Sequence, residues 1–166
     1  MVTKKYLIVA LILFAAGVIL LFLSVDWEAR AVKKQLRSLA KEMTWMPNEN
    51  ELEFALRVRH VQEKIAQTCQ VDIPSYNVSQ TVLQKDIPAY LSIARSYYRN
   101  LSVELEDLQI ESIQVPQARA IATAYIKATD AYGQRNDQAL ALEFNLQKIE
   151  KKWLVTAAKE MQVLER

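Results

Sequence analysis

The chain has 166 residues, 51% of them hydrophobic, with 21 Lys and Arg against 19 Asp and Glu. Beyond residue 25 the balance is 19 basic to 19 acidic, since only Lys4 and Lys5 precede it; that is the wrong balance for a nucleic-acid binder, which needs a clustered positive surface. One His and one Cys exclude Cys/His zinc patterns and an internal disulfide, and two glycines, Gly17 and Gly133, cannot build a phosphate-cradling loop.

The first element is Tyr6 to Leu23, eighteen residues with no charge and no Pro. At about 1.5 Å per residue such a helix nearly crosses a hydrocarbon core of ~30 Å. Lys4 and Lys5 would also suit a secretory leader, but the apolar run is too long for one, and Leu21 to Val25 offers bulky side chains where a peptidase needs small ones. Residues 1–25 are therefore expected to be an uncleaved membrane anchor, with the lipid bilayer as first partner. The flanking charges oppose each other: Lys4 and Lys5 on one side, Arg30, Lys33, Lys34, Arg37 and Lys41 on the other. Long domains translocate largely regardless of charge, so the expectation is a single-pass inner-membrane protein. Its N-terminus would lie inside and its soluble domain outside, periplasmic in a bacterium.

Residues 26–47 read as a juxtamembrane helix. Val32, Leu36, Leu39 and Met43 form one stripe, Trp27 sits where an interfacial aromatic would sit, and Pro47 stops the helix. Residues 48–166 read as one α+β domain. Asn48 caps a second helix, with Glu51 three residues on, running to about Ala66 with Leu52, Ala55, Val58 (or Arg59), Val61 (or Gln62) and Ile65 on one face. Cys69, Val71 and Ile73 alternate as a short strand closed by Pro74, and Ser75 to Lys85 reads as loop. A third helix starts near Asp86 with Pro88 in its first turn, buries Ile87, Leu91, Ala94 and Tyr98 (or Tyr97), and ends at Asn100.

The remainder is β. Leu101, Val103 and Leu105 alternate, then the phase slips after Glu106-Asp107 to Leu108 and Ile110, as at a β-bulge. After Pro116, Ala118 to Thr129 is a long strand with Ala118, Ala120, Ala122 and Ala124 on one face and Ile121, Thr123, Tyr125 and Lys127 on the other. Leu140, Leu142, Phe144 and Leu146 face inward on the next strand, opposite Glu143, Asn145 and Gln147. Trp153 to Leu164 is the last strand. Helices followed by an antiparallel meander predict helices packed on one side of a curved, mostly antiparallel sheet.

This order resembles the nuclear transport factor 2-like superfamily, also called the SnoaL-like or cystatin-like α+β cone. The resembling pieces are Asp86-Ile87-Pro88-Ala89-Tyr90-Leu91 leading into Leu101–Ile110, and the closing hairpin from Leu140 through Trp153 to Thr156. The resemblance covers about residues 51–165. It implies either a small-molecule enzyme with a conical pocket or a non-catalytic module for dimerisation or assembly, some of which hang from one membrane helix.

An enzyme of that superfamily would place an acid or base inside the cone. The candidate pocket residues are His60, Tyr76, Tyr90, Tyr97 and Tyr98, with Asp72 expected to point away from the core. His60 lies among Arg57, Arg59, Glu63 and Lys64, which suits a solvated histidine, and the tyrosines suit core packing with a hydroxyl at the rim. The candidate interaction face is Thr123, Tyr125, Lys127, Glu143, Asn145 and Gln147, with Thr156 and Trp153 alongside, depending on register. No cofactor and no catalytic constellation is expected. The reading is a membrane-anchored interaction or assembly module with a protein partner or a second copy. The alternative is a small-ligand or lipid-binding cone, or an enzyme built on one, for which the run of alanines would leave a shallow cavity.

Overall fold

The computed structural model describes residues 27–161. The segment Tyr6–Leu23, read as the anchor, lies outside them. Among the described residues no helix is long and apolar enough to cross a membrane.

Helix α1 covers residues 27–42. Its 3.6-residue stripe is the reason it sits where it does: Val32 and Leu36 are 0% exposed and pack in the same core as the strands. The juxtamembrane helix and the domain from residue 48 thus share one core. The helix ends at residue 42, short of the Pro47 expected to stop it, because the next residues turn onto a strand. The Thr44 hydroxyl accepts from Val103 N at 3.0 Å, and Trp45 exchanges backbone hydrogen bonds of 2.8 and 3.2 Å with Leu101. The buried Trp45 indole donates to the Tyr98 carbonyl at 3.1 Å.

Helix α2 spans Glu51–Gln62, capped by Asn50 rather than Asn48. Asn50 Oδ1 accepts from Glu53 N at 2.9 Å and the Glu53 carboxylate accepts from Asn50 N at 3.2 Å, a reciprocal capping box. Its buried face is Phe54, Val58 and Val61, whereas Leu52 is exposed. The helix ends four residues before the expected Ala66, because Ile65 already pairs with Val155 as strand.

The strands are β1 (Ile65–Ile73), β2 (Val78–Leu83), β3 (Tyr98–Gln114), β4 (Gln117–Asp130), β5 (Arg135–Ile149) and β6 (Lys152–Glu160), with α3 (Ile87–Tyr97) before β3. They form one sheet in the order β2-β1-β6-β5-β4-β3, antiparallel throughout except for the β1–β6 pair. Strand β2 corrects the loop expected over Ser75–Lys85. A short turn at Pro74–Tyr76, closed by Asn77 in the left-handed region (φ 54), folds the chain straight back onto β1. Strand β3 starts at Tyr98, so α3 ends before the expected Asn100. The register slips between Glu106 and Gln109, where Asp107 has φ 51, which places the bulge where the phase of the sequence shifts.

The even residues of β4 and β5 face the helices. Ala120 and Ala124 are at most 1% exposed, and Leu140, Leu142, Phe144 and Leu146 are buried with them. The odd residues face outward, and no helix covers them among the described residues. The result is a cone: a curved mixed sheet with three helices on its inner side.

Candidate functional site

Three anchors fix α1 across the inner side of the sheet. At its start Glu28 accepts from Trp153 Nε1 at 2.7 Å and from Lys148 Nζ, both on the β5–β6 hairpin. The hydrogen bond from Lys148 holds the Glu28 carboxyl below its ordinary value of 4.5; burial opposes this, and the indole of Trp153 adds to it. At its end Thr44 and Trp45 are fixed to β3 as described. In between, its apolar stripe closes over a cavity.

That cavity has a volume of about 260 Å³. Leu36, Leu39, Ala40 and Met43 roof it, and side chains from β1, β3, β4, β5 and β6 form its walls, among them Val71, Leu105, Ala124, Phe144 and Ala158. The alanines leave the space: three of the wall and roof positions, Ala40, Ala124 and Ala158, end at Cβ. Tyr76 is the one exposed residue of the lining and marks where the cavity reaches the surface. Its hydroxyl donates to Gln138 Oε1 on β5. Burial above all, with the Glu160 carboxylate nearby, raises its pKa, so it stays a neutral donor. The neighbouring Ser75 donates from its backbone N at 2.9 Å and from its hydroxyl to Glu160.

The lining carries two titratable groups, Tyr76 and Cys69. Burial pushes the Cys69 thiol up to about 11, so it is neither a thiolate nor an effective nucleophile at neutral pH. Among the described residues the Glu49 side chain is the most enclosed acid of an ion pair, 6% exposed and held by Arg57 away from this cavity, and no three His, Cys, Asp or Glu stand close enough to share a metal ion. General acid–base chemistry needs a carboxyl, imidazole or amine within hydrogen-bond reach of a substrate. This lining offers hydrocarbon, one phenol and one protonated thiol.

The five candidate pocket residues do not form one site. Tyr76 lines the cavity. Tyr97 and Tyr98 border a separate surface hollow with Asp130, Tyr132 and Arg135. Tyr90 is exposed on α3, and His60 is exposed on α2 with Nδ1 3.5 Å from Glu42. Asp72 pairs across the sheet with Ser79 and Lys159, while its neighbours Val71 and Ile73 line the cavity.

Thr123, Tyr125, Lys127, Glu143, Asn145 and Gln147 all lie on the outward face but in two groups. Thr123, Tyr125 and Lys127 pair with Ala141, Ala139 and Asp137, whereas Glu143, Asn145 and Gln147 pair with Ile121, Arg119 and Gln117. Arg119 links the second group through ion pairs to Glu143 and Glu111. Trp153, expected alongside them, instead points inward and is 4% exposed, because its indole is the donor to Glu28. The roof residues of α1 were not singled out in the sequence as a site. Their signal is the same stripe that reads as ordinary core.

A curved mixed sheet of six strands with three helices has the nuclear transport factor 2-like α+β fold. No family model matches the chain, and no curated protein matches it. Solved structures do. One is a candidate aromatic ring hydroxylase from Novosphingobium aromaticivorans, 12% identical over 83% of this chain and 91% of that one, with a TM-score of 0.67. Another is a candidate dehydratase of the same fold family from Streptomyces avermitilis, 10% identical over 84% and 99%, TM-score 0.63. A third is the beta subunit of a candidate aromatic-ring-hydroxylating dioxygenase from N. aromaticivorans, 9% identical over 86% and 94%, TM-score 0.59. At these identities the likeness is one of fold.

Proposed function

We propose that the cone is a non-catalytic binding domain for an apolar molecule or hydrocarbon chain, held at a membrane by the segment Tyr6–Leu23. The observation that carries this is the cavity itself: about 260 Å³ walled by hydrocarbon. A dry apolar cavity of about 150 Å³ already takes up benzene, so there is room here for a somewhat larger apolar group. Ligand pockets combine such walls with a few placed polar groups that fix orientation. Tyr76, with Gln138 behind it, supplies a single polar contact at the opening. An amphiphile with its tail inside and its head at Tyr76 fits that arrangement, and a bilayer is a ready source of one.

The test uses the full-length protein in its native membranes with a photoreactive single-chain lipid, the adducts being mapped to peptides by mass spectrometry. The expected result is labelling of the cavity strands as well as Tyr6–Leu23, with cavity labelling lost in Ala124→Leu, which fills the space. Labelling confined to Tyr6–Leu23 would leave the anchor and refute the pocket.

A second reading keeps the interaction module. Its specific support is the uncovered outward face, where Thr123 and Tyr125 lie beside the small Ala139 and Ala141 and allow close approach of another surface. In this reading the domain is an accessory subunit outside the inner membrane, docked through that face to a partner or a second copy. Cross-linking from Tyr125→Cys in native membranes tests it, with a discrete adduct expected. The absence of any adduct there would count against it.

A further inference from the structure

Helix α1 has a second face that the cone does not use. A helix advances about 100° per residue, which places Arg30, Lys33, Lys34, Arg37 and Lys41 within one arc of roughly 100°, opposite the buried Val32, Leu36 and Leu39. Trp27 flanks that arc and is 73% exposed. Ser38 completes a shallow hollow with the five cations. None of these five makes an ion pair among the described residues. The two acids of the helix are engaged elsewhere, Glu28 with Lys148 and Glu42 beside Arg57 and His60. The chain beyond residue 42 has 14 Lys and Arg against 16 Asp and Glu. Five of the 19 cations of a neutral domain therefore stand together on one helix face, while the rest of the domain carries a slight acidic excess.

We propose that this face of α1 docks onto the anionic headgroup surface of a lipid bilayer. The inference rests on the reading of Tyr6–Leu23 as a membrane anchor. In sequence, Leu23 precedes Trp27 by four residues, which keeps the face within reach of the surface the anchor enters. Five cations flanked by an interfacial tryptophan match the charge and depth of that surface. The apolar side of the same helix is fully occupied by the cone, so α1 would lie between the bilayer and the sheet, with its two faces serving two environments.

The test reconstitutes the full-length protein carrying Ser38→Cys, labelled with a dye, into vesicles of phosphatidylcholine alone or with phosphatidylglycerol, each doped with a headgroup-attached quencher. The native thiol, Cys69, is 4% exposed and is not labelled. The expected result is strong quenching on the anionic vesicles only, erased by high salt. K34Q/R37Q/K41Q lowers the docked-to-free ratio by about a hundredfold, and the charge-preserving K34R/K41R retains it. Equal quenching on both vesicle types, or none on either, with no effect of salt or of the Gln variant, overturns the proposal. Alkaline carbonate separates the two readings. If it strips the protein from both vesicle types, the anchor reading falls. In that case salt-sensitive sedimentation with the anionic vesicles alone still supports docking, and sedimentation with neither refutes it.

Discussion

The inner and outer faces of the β4–β5 pair come from alternate residues of the same two strands, and their chemistry is opposite. Inward stand Ala120, Ala122, Ala124, Leu140, Leu142 and Phe144, all buried. Outward stand Arg119, Thr123, Tyr125, Lys127 and Glu143, exposed or half-exposed, with Arg119 joined to Glu143 by an ion pair. A period of two is enough to build both. The contrast shows where a change in this molecule should matter. Inside, side-chain volume sets both stability and the cavity. Outside, it sets only what can approach.

The largest expected effect tests the inner side. Leu36→Ala removes a 0% exposed side chain from the roof and is expected to cost about 2–5 kcal/mol in denaturant unfolding. A loss under about 0.5 kcal/mol would mean that α1 is not integral to the cone. Next comes the polar anchor of that roof. Glu28→Gln weakens charge-assisted bonds to Lys148 and Trp153 and is expected to cost about 1–2 kcal/mol at neutral pH. Because the folded Glu28 is held below its ordinary 4.5, its contribution is present above that value and is lost as pH falls through the folded one. The stability curves of wild type and variant should therefore converge in acid; a gap that persists there would assign the effect to shape rather than charge.

A smaller change of opposite sign is expected at the β5–β6 turn. Glu150 and Lys151 both have positive φ, 47° and 67°, the geometry of a two-residue hairpin that favours Asn-Gly. Lys151→Gly should raise stability by about 1 kcal/mol, measured the same way, and a loss would contradict that turn geometry. Smallest of all is the outer face, where Thr123→Ala should change stability by less than about 0.5 kcal/mol. A loss as large as that of Leu36→Ala would mean that the outward face is already covered in the isolated protein.

The sequence made the helix stripe, the strand faces and the bulge at Asp107 legible, because each is a periodicity or a break in one. Strand β2 was hidden because an edge strand pairs on one side only: Ser79, Gln80 and Thr81 are exposed and read as loop. The α2 cap was displaced by two residues because Asn48 and Asn50 both precede acids at the right spacing, and only the backbone decides between them. The inward turn of Trp153 depended on a partner, Glu28, lying 125 residues away. The cavity was legible only as a run of alanines. Alternation tells which side chains point inward; how completely they fill the space depends on where α1 settles, and that is fixed by contacts at both of its ends. Tyr76 lines the opening because of the β1–β2 hairpin, which the pattern did not reveal.

The most direct test of the two-faced sheet is methyl-resolved NMR of the full-length protein in nanodiscs, titrated with a single-chain amphiphile. The account predicts shifts at Leu105, Leu140, Leu142 and Val155 around the cavity, with the outward Ile121 and Thr123 unmoved. Shifts at Ile121 and Thr123 with the cavity methyls unchanged would contradict it and assign binding to the outer face.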